Sequence, residues 1–402
     1  MTVAYIVKTG SKNEDPAEAG VSHFLEHFVF KGTKKFSSSK EVMRAMDSIG
    51  AEYNASTSKE ATTYWVKTAS DNLSKAVEMI GELVYKPLLP GNLLDQEKGT
   101  ILQEMAMIED HPMSKIGDTF ETLIFGAGTP LGRDIIGTKE TISNMKLQQL
   151  ADYRLRRYAP ENSVLVVAGG VKAGEVVKLA ESAFGKLPEA ASDKNYKSYN
   201  NYKNYSPPEA GGRQIEFRKT DQVHLEMGKK AFKRQDPRRY ALSLLMTVLG
   251  GNASSRLFQI VREKLGLAYY VHSGSTRYEE DGYVAIGAGV APGKAREAEA
   301  EILKIVRGLK VTADELSEAK GFSLGHLALA WEESHYIAGH LADNFLFEKS
   351  IRTRQEIERN LKKVSLNEVN SLSESLFGNS QPLSLAAIGP VDNMLYFLSN
   401  HD

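Results

Sequence analysis

The chain has 402 residues, enough for two domains of ordinary size that each bury a core of their own. Its 50 Lys and Arg residues and 51 Asp and Glu residues leave a net charge of -1, so charge gives no basis for binding nucleic acid or an anionic membrane. Because the sequence contains no cysteine, disulfides, thiolate metal ligands and a thiol nucleophile are excluded, and any metal site has to use His, Asp and Glu.

The sequence also lacks the marks of a membrane or exported protein. No apolar run approaches the length that spans a bilayer, and no signal peptide opens the chain; residues 1–7 predict a strand instead. We therefore expect a protein without a membrane span in the reducing environment of the cytoplasm, with a processed organellar or periplasmic form as the alternative.

Residues 21–33, VSHFLEHFVFKGT, predict a helix that carries a metal site. The stretch has no Gly or Pro before Gly32, a residue suited to a helix C-terminus. On a helix, His23, Glu26 and His27 share one face, while Val21, Phe24, Leu25 and Phe28 lie on another that would face the core. Two imidazoles one turn apart can hold one tetrahedral zinc ion, with the carboxylate between them beside the open position. The order H-x-x-E-H is the inverzincin signature; the alternative is an accidental sharing of one helix face, and the metal hypothesis needs a third ligand.

Two carboxylates on a later helix also indicate a bound cation. The chain first continues with a helix, two strands and another helix, at residues 38–50, 51–57, 61–68 and 72–85. The next helix, at residues 93–109, places Glu97 and Glu104 in the same stripe as Ile101 and Ile108. Carboxylates on a core-facing stripe are seldom left unpaired, so both are expected to have a cationic partner.

The first half ends in a polar segment. The pattern predicts helices at residues 112–125 and 138–158, a buried strand at 162–170 and a helix at 173–184. From residue 189 to 212 the sequence becomes rich in Asn, Lys, Tyr, Ser and Pro without periodicity, which predicts an interdomain linker.

The second half repeats the order of elements found in residues 22–86. It predicts a strand, two helices, two strands and a helix, at residues 223–228, 240–249, 254–265, 267–273, 282–289 and 295–308. The register that aligns Gly32 with Gly250 puts His23, Glu26 and His27 opposite Ala241, Leu244 and Leu245. One copy therefore carries the candidate metal residues, and the other is free for a different task.

With these motifs the chain resembles the pitrilysin/insulinase family of zinc peptidases, in particular the short-subunit branch that includes mitochondrial processing peptidase. In that family a metal-binding glutamate follows H-x-x-E-H after 76 residues, and this interval leads from His27 to Glu104. The other matching stretches are FKGT at residues 30–33, YNAST at 53–57, Glu97, SSRLF at 254–258, and the pair of Arg262 and Tyr269. The resemblance covers residues 10–390.

The resemblance implies an α+β fold of two homologous α/β domains, each with a mixed or antiparallel sheet packed with helices, that together form half of a clamshell. We expect a zinc-binding catalytic domain at residues 1–195, a linker at 196–212 and a substrate-binding domain without metal ligands at 213–402. Relatives carry an additional strand before the one that opens this sequence, so we expect either a first sheet without this edge strand or a shortened form of the chain.

The resemblance also implies a role for each candidate residue. One Zn²⁺ per chain would be bound by His23, His27 and Glu104, with Glu26 as general base and Glu97 supporting a ligand from behind. Asn54 and Ala55 would pair with the peptide backbone, and Arg262 and Tyr269 would hold the peptide or the developing oxyanion.

The expected activity is that of a zinc endopeptidase. It would cleave extended, unfolded peptides in the closed chamber of a homodimer, using a glutamate-activated water. Two alternatives remain open at this point: a non-catalytic subunit of a larger assembly, and the zinc-bearing subunit of an obligate heterodimeric peptidase.

Overall fold

The computed structural model describes residues 1–185, 208, 210–348, 350–378 and 381–391, which form two sheets with helices around them. In chain order, the first half forms β1 (Thr2–Val7), α1 (Val21–Phe28), α2 (Ser39–Asp47), β2 (Glu52–Thr57), β3 (Thr62–Lys67), α3 (Leu73–Tyr85), α4 (Leu94–Glu109), α5 (Pro112–Phe125), α6 (Lys139–Asn144), α7 (Leu147–Arg157), β4 (Ser163–Ala168) and α8 (Ala173–Phe184). The second half forms β5 (Arg213–Phe217), β6 (Val223–Lys230), α9 (Arg239–Met246), β7 (Ala268–Arg277), β8 (Gly282–Val290), α10 (Ala295–Arg307), α11 (Ala313–Ala330), α12 (Ser334–Asp343), α13 (Arg354–Lys363), α14 (Leu366–Phe377) and β9 (Ser384–Gly389).

The first sheet has the strand order β2-β3-β1-β4, and its neighbouring strands are antiparallel. β1 is buried along its whole length because successive side chains alternate between two covered faces. On one face the ring of Tyr5 stacks on Phe184 of α8, and α1 packs on β2 and β3. On the other face Ala4 and Ile6 belong to a small apolar cluster with Ala338 and Ala342 of α12.

The second sheet has the order β5-β9-β6-β8-β7, in which β5 and β9 are parallel and the other pairs antiparallel. The sequence β7-β8-β6-β9 repeats the arrangement β2-β3-β1-β4, so the predicted duplication and the mixed and antiparallel sheets are confirmed. Among the described residues β4 has no neighbour on its outer side, whereas its counterpart β9 has β5 there. As described, the first sheet thus has four strands and the second has five, and the additional strand is β5 at the edge.

Each of the two compact units includes a segment from the other half of the chain. The first unit comprises residues 1–107, 128–205 and 330–351, and the second residues 108–127, 206–329 and 352–402, as far as these ranges are described. α12 therefore belongs to the first unit, where it packs on β1 and β4, and α5 belongs to the second, where it packs on β5, β6 and β9. The predicted division into residues 1–195 and 213–402 follows sequence order and does not contain this exchange. Most of the predicted linker at 196–212 lies outside the described residues.

Some predicted helices differ in detail from the structure. The helix predicted at 138–158 is two helices, α6 and α7, because the backbone of Met145 and Lys146 is not helical. Gln149 accepts the Lys146 amide at the start of the second helix. In the helix predicted at 254–265, the segment Phe258–Lys264 is π-helical. In the described part of the chain, no helix combines the length and the apolar character needed to cross a bilayer.

Candidate metal centre

The histidine helix α1 is fixed at its start by Gly20 and Glu14. Gly20 has a φ of 90°, in the left-handed region that favours glycine, and a Cβ there would lie 2.5 Å from the carbonyl oxygen of Ile136. The Glu14 carboxylate accepts the backbone N–H of Gly20 at 2.7 Å and of Ser22 at 2.8 Å. Glu14 thereby satisfies amides that the beginning of a helix leaves without intrahelical partners.

The apolar face of α1 is buried as its periodicity predicts. Val21, Phe24, Leu25 and Phe28 are all fully buried. The helical segment ends at Gly32 as predicted, but its last turn differs: the α-helix ends at Phe28, and a 3₁₀ turn, Val29–Lys31, continues it to Gly32. This tighter turn carries Lys31 to the metal-binding face.

The imidazoles of α1 and a carboxylate of α4 converge on one point. His23 Nε2 lies 3.6 Å from Glu104 Oε1, and His27 Nε2 lies 3.5 Å from Glu104 Oε2. A shared metal ion requires ligand atoms that lie close together. Among the described residues, His23, His27 and Glu104 form such a group, and their ligand atoms all lie within 4.8 Å of one another. The hydrogen bond with His23 and the proximity of His27 outweigh partial burial and lower the pKa of Glu104, so the carboxylate is in its ligating form.

The donor set and its spacing fit zinc. Two imidazole nitrogens and one carboxylate oxygen are a common ligand set of catalytic zinc, with a fourth position left open. Ligand atoms at about 2.1 Å from a tetrahedral ion are separated from each other by about 3.4 Å. The separations of 3.5 and 3.6 Å at Glu104 are close to that value.

Glu97 orients His27 from behind. His27 Nδ1 donates to Glu97 Oε1 at 3.1 Å, because an ionised carboxylate only accepts, and this leaves Nε2 on the side of Glu104. Glu97 is only 2% exposed, and its other oxygen lies 2.5 Å from Lys31 Nζ. Burial opposes ionisation of Glu97, but the contacts with His27 and Lys31 outweigh it and lower the pKa of Glu97. Burial likewise opposes a charged His27, but Glu97, Glu104 and Glu26 together raise the pKa of His27.

Glu26 is held by the neighbouring strand. Thr57 at the end of β2 donates its hydroxyl to Glu26 Oε2 at 2.5 Å. Among the described contacts the other oxygen, Oε1, has no hydrogen-bond partner. Glu26 therefore has one fixed and one available carboxylate oxygen, on the helix face that carries His23 and His27.

The predicted peptide-binding residues Asn54 and Ala55 lie on β2, an edge strand of the first sheet. Asn54 is exposed, whereas the Ala55 side chain is buried on the side of α1. The Asn54 side-chain oxygen accepts the Ala55 N–H at 2.9 Å. Asn54 thus occupies an amide that a peptide strand would otherwise bind, a form of edge protection.

Arg262 and Tyr269 lie in the second unit. Arg262 belongs to the π-helical segment, with its guanidinium 4.6 Å from the centre of the Phe258 ring. Tyr269 lies on β7 and is 76% exposed, so it is not the core aromatic that its residue type alone would suggest.

Three supporting residues had no predicted role: Glu14, Lys31 and Thr57. Lys31 follows His27 by four residues, and this helical spacing could have indicated it. Thr57 and Glu14 reach α1 from a separate strand and from the preceding loop, so no local pattern in the sequence marks their contacts.

Comparison with known proteins gives consistent matches along the chain. Residues 1–139 match the family described as insulinase, peptidase family M16, and residues 144–321 match the peptidase M16 inactive domain. An uncharacterized zinc protease of Mycobacterium leprae is 33% identical over 97% of this chain and 86% of its own length. The uncharacterized zinc protease YmxG of Bacillus subtilis is 33% identical over 96% of this chain and 92% of its own.

A solved structure shows the same fold. A protease from Helicobacter pylori superimposes with a TM-score of 0.87 at 22% identity, covering 96% of this chain and 94% of its own. The candidate metal residues on α1 and α4 lie in the segment that matches insulinase, and their apolar counterparts on α9 lie in the segment that matches the inactive domain. The chain belongs to the pitrilysin/insulinase family, peptidase family M16, and is of its short-subunit type.

Proposed function

We propose that the protein is a zinc-dependent endopeptidase that hydrolyses extended, unfolded peptides. The observation that carries the proposal is the convergence of His23, His27 and Glu104, whose ligand atoms lie within 4.8 Å of one another. Relatives over nearly the whole chain are named zinc proteases, which supports a peptidase function and a zinc cofactor.

The residues around this centre divide the work of hydrolysis. A zinc ion held there, one per chain, supplies a Lewis acid that polarises a scissile carbonyl and acidifies water. Glu26 is the general base: Thr57 holds Oε2, and Oε1 accepts the proton of the attacking water. The water oxygen bonds to the carbonyl carbon, the C–N bond breaks, and Glu26 passes the proton to the leaving amine nitrogen. Glu97 keeps the His27 ring oriented so that Nε2 stays available.

The substrate backbone would be bound at the free edge of β2. An added strand pairs through backbone groups and therefore recognises extended chains of varied sequence. Asn54 and Ala55 offer this edge, where the Ala55 N–H exchanges its bond with Asn54 for one with the peptide.

We further propose that the active form is a homodimer in which Arg262 and Tyr269 of one chain bind the peptide, or the developing oxyanion, at the metal centre of the other. The exposure of Tyr269 supports a role in contacting another molecule.

The test measures zinc content and peptide cleavage together. We expect about one zinc ion per chain, removable by a chelator, and cleavage of a mixed library of unstructured peptides that disappears with the metal. Glu26→Gln should keep the zinc and lower kcat by at least about 100-fold, because it removes the proton acceptor. Glu78→Gln, which alters an exposed glutamate of α3, is the control and should cleave normally. Full activity of the Glu26→Gln variant would refute the proposed mechanism.

The match of residues 144–321 to an inactive domain keeps two alternatives under test. A non-catalytic subunit of an assembly would neither retain stoichiometric zinc nor cleave peptides. A zinc-bearing subunit of a heterodimer would retain zinc but cleave only after a partner chain is added.

A further inference from the structure

A groove lies on the face of the first sheet opposite to α1. α12 covers β4 and β1 on this face, while the exposed residues Asn54 and Ser56 show that β2 is left open. The groove between the sheet and α12 has a volume of roughly 670 Å³, counted together with the solvent at its mouth. None of the residues that line it takes part in the contacts described around the metal centre.

The base of the groove is apolar, one wall is aromatic, its mouth is small and polar, and Asp343 of α12 adds one carboxylate to the lining. Ala4 and Ile6 of β1 are buried at its base. Trp65 forms one wall, with its ring 4.4 Å from that of His335. The mouth towards β2 is lined by Ser56 and its partner on β3, Thr63, whose short side chains leave room above them.

The groove is continuous with the free edge of β2. Ile6, Thr63 and Ser56 lie in one row across three neighbouring strands, so the groove runs from β1 outwards to the edge. At the β2–β3 hairpin the Ser58 N–H donates to the Ala61 carbonyl. Because hydrogen-bonded pairs alternate along antiparallel strands, the backbone N–H and C=O of Ala55 then point to the free edge.

A peptide bound at this edge would present its side chains to both faces of the sheet. Successive side chains of a strand point in opposite directions, and neighbouring strands are about 4.8 Å apart. Every second side chain of the bound peptide would point towards α1 and Glu26. The alternate side chains would point to the other face of the sheet and lie beside Ser56. Only a long or bulky side chain extends past Ser56 as far as Thr63 and Trp65.

We infer that this groove is a substrate subsite that binds one bulky apolar or aromatic side chain of the peptide, on the face opposite to the metal centre. The inference rests on the proposed function only for the identity of the bound molecule as a peptide. The apolar base and the aromatic wall favour such a side chain, and Asp343 in the lining disfavours an acidic one.

Gly339 allows the groove to be filled without disturbing its surroundings. Gly339 lies on α12 and lines the groove, and a Cβ added there would meet nothing within 4 Å. Gly339→Leu therefore places an isobutyl group in the groove without a clash at its Cβ. Gly325→Leu is the matched control, because Gly325 is an exposed helical glycine of α11 whose Cβ also meets nothing within 4 Å.

The experiment measures binding in the Glu26→Gln background, where peptides stay intact. The probes are fluorescein-labelled peptides of alanine and serine that carry one phenylalanine at successive positions. We expect phenylalanine at one position to improve the Kd at least about tenfold over alanine, and Gly339→Leu to abolish this gain while Gly325→Leu retains it. A second readout is the emission of Trp65, measured after Trp331→Phe has removed the other of the two tryptophans.

The outcomes separate this inference from the proposed function. Selective binding that depends on Gly339 supports the subsite even if the wild-type protein cleaves nothing, in which case the endopeptidase proposal fails alone. If no phenylalanine position improves binding, or if Gly339→Leu preserves the improvement and the Trp65 response, the subsite is refuted, whether or not peptides are cleaved.

Discussion

At the residue scale, the contact between Thr57 and Glu26 bears most directly on the proposed chemistry. The Thr57 hydroxyl fixes one oxygen of the general base Glu26. Thr57→Val removes this hydrogen bond, and a hydrogen bond to a carboxylate contributes about 1.5–3 kcal/mol. We expect kcat to fall roughly 10- to 100-fold with little change in KM or zinc content, since the ligands are untouched. Thr57→Ser keeps the hydroxyl and should retain most of the activity.

Thr312→Val is the control for this prediction. The Thr312 hydroxyl also donates to a glutamate, Glu315, but this exposed pair belongs to the second unit, which holds none of the candidate metal ligands, and the substitution is chemically identical. Equal kcat values for Thr57→Val and Thr57→Ser would show that the hydroxyl of Thr57 does not position Glu26.

The ion pair of Lys31 and Glu97 gives a second prediction at this scale. Lys31→Met leaves the buried Glu97 carboxylate without its charged partner, so its hold on the His27 ring is weakened. We expect zinc affinity to fall about 10- to 100-fold, the usual effect of losing a group that orients a metal ligand. Competition with a chromogenic chelator measures it.

Lys35→Met provides the comparison, because Lys35 pairs with Glu78 on the surface, where both side chains are nearly half exposed. This exposed ion pair should contribute little to stability, and its loss should leave the zinc affinity unchanged. Equal affinity of Lys31→Met and wild type would mean that Glu97 orients His27 without Lys31.

At the scale of elements, β6 and α5 bury acidic groups together. Burial, with repulsion from Glu121 and Asp118 of α5, raises the pKa of Glu226 on β6 to about 7, whereas an unfolded glutamate titrates near 4.5. Glu226 therefore stays protonated to a higher pH in the folded protein than in the unfolded chain. The stabilisation from protonated Glu226 is fully present below about pH 4.5, and it is lost as the pH rises through 7, by on the order of 3 kcal/mol.

Glu226→Gln should flatten this pH dependence. We expect the variant to have a higher Tm than wild type at pH 8 and a similar Tm at pH 5, because a neutral amide cannot ionise. Glu280→Gln, an exposed position, serves as control and should follow the wild type at both pH values. An unchanged difference in Tm between pH 5 and pH 8 in the Glu226→Gln protein would contradict the shifted pKa.

The elements also show which parts of the fold a sequence pattern can predict. The apolar stripe of α1 and the order of helices and strands along residues 21–86 were predicted because both depend on local periodicity. The placement of α5 and α12 was not, since an amphipathic pattern reveals that a helix buries one face but not which sheet receives it. Ala338 and Ala342 allow α12 to approach β1 closely, yet small residues alone do not identify a partner.

The same limit applies within the candidate site. His23, Glu26 and His27 follow from helical spacing, and Glu104 was found through the interval typical of the resembling family. Thr57 and Glu14 act through contacts that depend on the folded arrangement of a strand and a loop around α1. Such contacts have no period in the sequence.

At the scale of the whole molecule, the two sheets descend from one pattern, but their first helices differ in chemistry. α1 carries three polar residues of the candidate centre, and the predicted register puts buried Ala241, Leu244 and Leu245 of α9 at the same positions. The second unit instead presents Arg262 and the exposed Tyr269. This division of residues is what makes completion of the site by a second chain testable.

Mixing two inactive variants tests whether a second chain completes the site. In a homodimer completed by the partner, a Glu26→Gln chain and an Arg262→Ala chain together form one site with both residues intact. Random exchange at equal amounts makes half of the dimers mixed, each with one of two sites restored, so we expect recovery of about one quarter of wild-type activity. A mixture of Glu26→Gln and His23→Ala should recover nothing, because both damage the same half of the site. If subunit exchange is verified by labelled chains and the first mixture also stays inactive, each chain completes its own site.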